Sequence, residues 1–156
     1  MEGYFWLKTA HVVSATLLFG TGLGTAYFQW MAHRRGEIAA IAVTARHVVL
    51  ADWLFTTPAM IAQPLTGWLL LDRLGIAWTQ SWVLASLALF VLAGACWLPV
   101  VAIQIRVRAE AEQACVTGAL SPRYHRLMRT WFALGWPAFA AVLAIFWLMV
   151  RKPALW

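Results

Sequence analysis

Four long apolar runs, separated by three short polar breaks, set the pattern of the chain. They cover about 4–30, 47–71, 82–103 and 127–150. Each meets the roughly 20 residues that a helix rising 1.5 Å per residue needs to cross a ~30 Å hydrocarbon layer. In lipid a lone strand leaves its backbone donors and acceptors unpaired, so runs of this kind predict helices. The pattern therefore predicts an all-α integral membrane four-helix bundle, a single transmembrane domain over residues 1–156. There is no internal repeat and no low-complexity stretch. The first run opens on Glu2 rather than a basic segment and is too long for a cleaved leader, so it is read as a span.

Local signals mark where the helices begin, bend and end. Ser121 followed by Pro122 is an N-cap and first-turn pair, which starts the fourth helix before its apolar run. Gly118 predicts the stop of an extension of the third helix beyond lipid. Residues 72–81 make a short turn at the opposite end. Pro58 and Pro64 remove backbone donors from the second run and predict a bend. Bends in lipid need partners for the freed carbonyls, so Thr56 and Thr57 are expected to pack inward.

Composition strengthens this reading. The chain is 63% hydrophobic and 12% charged, whereas a soluble domain is nearer one quarter charged. Its net charge of +6 sits in two clusters, Arg34, Arg35 and Arg46, then Arg106, Arg108, Arg123, Arg126 and Arg129. The other side holds only Lys8, Arg73, Arg151 and Lys152. This asymmetry predicts Arg-rich breaks in the cytoplasm, both termini outside, and a multi-pass protein with the lipid bilayer as its partner. No aromatic-studded basic groove accompanies the charge, which argues against nucleic acid as a partner. Trp6, Trp68, Trp78, Trp82, Trp147 and Trp156 are expected at the outer interface, Trp30 and Trp131 at the inner one. Cys96 and Cys115 form neither a CxxC pair nor a disulfide framework and are read as reduced and structural.

Candidate chemistry lies in the polar residues placed inside apolar runs, which are expensive in lipid and face a bundle interior. Lys8 and His11 share a face of the first helix, with Ser14 at its edge. Lys8 can snorkel outward, leaving His11 below the surface. A histidine there can bond a hydroxyl, carry a proton, or ligate a metal or haem iron. Met60, a soft ligand, is expected within ~6 Å of His11 in depth. His47 and His125 lie at similar depth near the inner face and are candidates for a second haem; His33 is expected to be solvated. Asp52, Thr56, Gln63 and Thr66 predict a polar stripe along the second helix, as a helix–helix seam or a proton path. Gly20, Gly22 and Gly24 provide a GxxxG face that admits either a helix or a flat ligand.

Several of these residues fall into recognisable motifs. Tyr4-Phe-Trp-Leu-Lys8-Thr-Ala-His11 resembles the W-x-K-x-x-H of the first helix of HemJ-type protoporphyrinogen oxidases. Thr56-Thr-Pro58-Ala-Met60 resembles the T-T-P-x-M of their second helix, and Ala133-Leu134 with Pro137 resembles their A-L-N-x-x-P region. As a whole the chain resembles a bacterial family of four-helix membrane proteins related to these enzymes and more remotely to copper-resistance D proteins. The resemblance implies haem b on His11, with Met60 at the matching second position, Lys8 beside a propionate, and Gly20, Gly24 and Thr57 near the porphyrin. It implies a redox or electron-transfer role with an unidentified redox partner or quinone; an enzyme of this kind would be a haem-dependent membrane oxidoreductase. Two departures stand out: where HemJ proteins read W-L-H-x-K-L this chain reads Trp82-Val-Leu-Ala-Ser86-Leu, and Gly135 and Trp136 replace polar residues before the last proline. The alternatives from other classes are a small-solute or metal-ion transporter working as a homo-oligomer, and a non-catalytic scaffold.

Overall fold

The apolar runs are helical in a computed structural model, which describes residues 2–156. The order is α1 (Glu2–Arg35), α2 (Ile38–Ala51), a π-helical turn (Asp52–Thr56), α3 (Thr57–Arg73), α4 (Ser81–Thr117) and α5 (Pro122–Arg151). Three rods are long and apolar enough to cross a membrane: Ile38–Arg73, Ser81–Thr117 and Pro122–Arg151. α1 has the length, at 34 residues, but His11, Gln29 and its run of threonines and glycines dilute its apolar character.

The ends follow local chemistry. Ser121 accepts a hydrogen bond from Tyr124 N at 3.0 Å, the N-cap its sequence predicts. Gly118 takes φ 76° and ends α4 with its N–H on Ala114 O at 2.8 Å; a residue with a Cβ would be strained there. Pro58 explains the wide turn before α3. It has no N–H for the preceding turn, and its ring crowds the carbonyl four residues back. The helix responds by widening, so that Thr57 N bonds to Asp52 O, five residues back. That extra residue rotates everything beyond it.

The two ends of the bundle pack differently. α4 lies closely along α5, α1 along α3, and α2 along both α4 and α1, whereas α3 makes no comparable approach to α4 or α5. At the Arg-rich end, α1, α2, α4 and α5 therefore share a core. Ile41, Tyr124 and Met128 are fully buried there among Ala32, Ala45, Val107 and Ala111. Toward the opposite end the bundle divides into two pairs, α1 with α3 and α4 with α5. Phe19 joins them by stacking on Phe139 at 5.0 Å and tilting against Phe146 at 5.4 Å.

Many exposed side chains of the rods are large and apolar, among them Leu65, Val91, Leu98 and Val150, which suits lipid rather than water. Trp6, Trp68, Trp78, Trp147 and Trp156 are exposed as expected of interface anchors. Trp82 and Trp131 are not. Both are buried: Trp131 packs in the closed core, while Trp82 donates to Gln80 Oε1 at 2.6 Å and has Lys152 Nζ 5.8 Å from its ring. Cys96 and Cys115 are free thiols.

Candidate functional site

The α1–α3 seam gathers the polar residues of the first run. His11 Nδ1 lies 2.7 Å from Thr66 Oγ1. Gln63 Nε2 donates to His11 O at 2.8 Å and to Ser14 Oγ at 2.6 Å. Ser14 Oγ in turn donates to His11 O at 3.1 Å. Gly67 brings the helices together: a Cβ at that position would lie 3.4 Å from His11 Cε1, already at the edge of contact.

The Thr66 hydroxyl fixes the imidazole tautomer. Thr66 Oγ1 is 2.6 Å from Ala62 O, the carbonyl one turn back. A hydroxyl has a single proton, and here it goes to that carbonyl. Only a lone pair remains for the imidazole, which makes Nδ1 the N–H and leaves Nε2 with the free lone pair. Metal-bound histidines are held in this way, by a partner that takes the other ring proton. The residues present thus fit a haem or metal ligand at His11 Nε2. Among the described residues no group of three or more His, Cys, Asp or Glu could hold a metal ion.

The other predicted residues disperse. Lys8 is exposed, its Nζ 5.9 Å from the Tyr4 ring. Thr57 is half-buried at the start of α3. The space where Met60 meets α4 is tight: its Cε lies 3.6 Å from where a Gly94 Cβ would be. Met60 precedes Thr66 by six residues, about 9 Å along α3, farther from the level of His11 than the sequence suggests. Gly20, Gly22 and Gly24 would each accept a Cβ with nothing within 4 Å, so no close helix approach depends on their lacking one.

At the Arg-rich end the histidines pair otherwise than expected. His47 is exposed. His125 meets His33, with ring centroids 5.9 Å apart. His33, expected to be solvated, is half-buried with Nδ1 3.1 Å from Tyr124 Oη. Burial and the nearby His125 charge hold the His33 pKa below its ordinary value. Desolvation pushes the Tyr124 phenol up to about 12. Sequence could hint at this group only through the adjacency of Tyr124 and His125.

The single stripe predicted along the second helix is split in two. Gln63 and Thr66 face α1, whereas Asp52, buried like Thr56, lies beside Trp97 and Gln104 of α4. The π turn between them supplies the rotation. No curated protein sequence matches the chain, and no solved structure does. The sequence profile of one family covers residues 5–153, and the chain accordingly belongs to DUF2269, a family of predicted integral membrane proteins.

Proposed function

We propose that this protein is a b-type haem protein of a bacterial inner membrane with a redox or electron-transfer role, His11 Nε2 providing the iron ligand. In this reading α1 spans the membrane with the other three rods. The Arg-rich breaks face the cytoplasm and both termini lie outside, as the arginine asymmetry favours. The observation that carries the reading is the short His11–Thr66 contact combined with the Thr66–Ala62 bond, which orients the ring and frees one nitrogen. The motif resemblance around His11 and Met60 supports haem over a bare ion. Met60 is assigned to the second axial position by that resemblance and not by distance. Lys8, one turn before His11 on the same side of α1, suits a propionate.

When bound, haem would supply the one-electron chemistry, while the chain orients the ligand and excludes water. The test is a dithionite-reduced minus air-oxidised spectrum of the detergent-purified protein. The expected result is a red preparation with a reduced α-band, lost in His11→Ala while the helical content is kept. A colourless protein after expression with ample haem precursor would remove the reading, and undiminished haem in His11→Ala would remove the ligand.

A further inference from the structure

A second polar site lies closer to the Arg-rich end, about three turns from Gln63 along the rod. Asp52 sits at the start of the π turn and is 5% exposed. It takes part in none of the ion pairs, which join Arg46 and Arg108 to Glu112 and Arg123 to Glu110. The groups that face it are neutral: Thr56 from its own rod, and Trp97 and Gln104 from α4. They stand close to its carboxyl group, but no contact among them has hydrogen-bond geometry. Asp52 Oδ2, Thr56 Oγ1, Trp97 Nε1 and Gln104 Oε1 are all buried without a hydrogen-bond partner. Beyond Gln104 a cavity of about 10 Å³ is lined by Gln29 of α1, Ala45 and Val48 of α2, and Met128 and Trp131 of α5. Gln29 Oε1 and Trp131 Nε1 are also unpaired.

So many orphaned groups in one place call for a shared partner. Leaving a buried polar group unpaired costs about 1–3 kcal/mol, and Gln104 links the two sets, standing beside Asp52 and lining the cavity with Gln29 and Trp131. Two indole N–H groups argue against a cation, which would meet them with its own positive charge. Water fits, since it both donates and accepts, and the cavity approaches the ~10–15 Å³ that one water needs. A carboxyl group in the interior of a membrane bundle is costly without a function, and π turns recur at functional sites.

We propose that this cage holds bridging water and that Asp52 is a proton-binding site inside the bundle, separate from the His11 seam. A proton passes from water to a carboxylate oxygen and back, and no electron moves. This site does not depend on haem being bound, so the spectra of His11→Ala leave it untouched.

The chain has only two aspartates, Asp52 and Asp72, which makes the test direct. Full-length protein carrying aspartate labelled with carbon-13 at the side-chain carboxyl is reconstituted in lipid nanodiscs. Asp72→Asn, at an exposed position on α3, leaves the Asp52 signal alone in the carbon spectrum. The expected result is an Asp52 signal that shifts reversibly with pH while helicity holds, and that ignores replacement of sodium by choline. In Gln104→Leu the pH response should shift, because a partner of the bridging water is gone. A signal that stays fixed across pH overturns the proposal. A signal that follows sodium at constant pH also overturns it, by making the cage a cation site, as does an unaltered response in Gln104→Leu.

Discussion

The Arg-rich end and the opposite end of this bundle solve the same packing problem in different ways. At the Arg-rich end four helices close around Ile41, Tyr124 and Met128, and the histidines stay at the rim. At the other end the helices associate in pairs. The α1–α3 pair is sealed by hydrogen bonds between Gln63, Ser14, His11 and Thr66 rather than by apolar side chains. The contrast separates stability from chemistry. One end holds the fold, and the other keeps a polar seam accessible.

The largest test of that contrast removes core volume. Ile41→Ala should cost about 2–5 kcal/mol, whereas Val12→Ala, on an exposed face of α1, should stay within about 0.5 kcal/mol. Unfolding by SDS in mixed micelles measures both, and equal costs would erase the distinction. Next comes Thr66→Val, which removes the group that holds the imidazole while preserving shape. Haem affinity should fall about 10–100-fold with the melting temperature little changed; a large loss of stability instead would make the seam structural.

Smaller effects sharpen the picture at single positions. Gly20→Ala and Gly24→Ala should each stabilise the protein by about 0.5–1 kcal/mol, because a helical glycine carries that entropic penalty and nothing occupies the Cβ space. Unfolding in the same mixed micelles measures the gain, and a loss of stability instead would mean that this face is covered in the membrane. The smallest effect is with pH. The His33 pKa is lowered in the folded protein from 6.5, so the folded state binds that proton less readily than the unfolded chain. Its stability contribution is complete above 6.5 and declines as the pH falls through 6.5 toward the lowered folded value. The melting temperature should therefore drop on mild acidification, and by less in His33→Gln; an equal drop in both would absolve His33.

What could be read from sequence was whatever depends on neighbours along the chain. Ser121 with Pro122, Gly118, and the proline-induced distortion near Thr56 are decided within a turn or two, and the structure has them where the pattern puts them. Facing is another matter. Trp82 and Trp131 look like interface anchors until the fold buries them. Whether Asp52 shares a face with Thr66 depends on one extra residue in a turn. His33 meets Tyr124 across 91 residues of sequence, a separation at which no local signal operates. The polar character of the α1–α3 seam was legible, but the tautomer of His11 was not, since it rests on where a hydroxyl proton from α3 goes.

The length of α4 has a mechanical consequence. Its 37 residues extend about 55 Å, well beyond a ~30 Å hydrocarbon layer, and the overhang is knitted into the closed core through Val107, Ala111 and Ala114. A block so tied cannot easily tilt or shorten. When the surrounding bilayer thins or thickens, the hydrophobic mismatch falls on the loosely joined helix pairs at the far end, where the imidazole sits, so lipid thickness becomes an input to that seam.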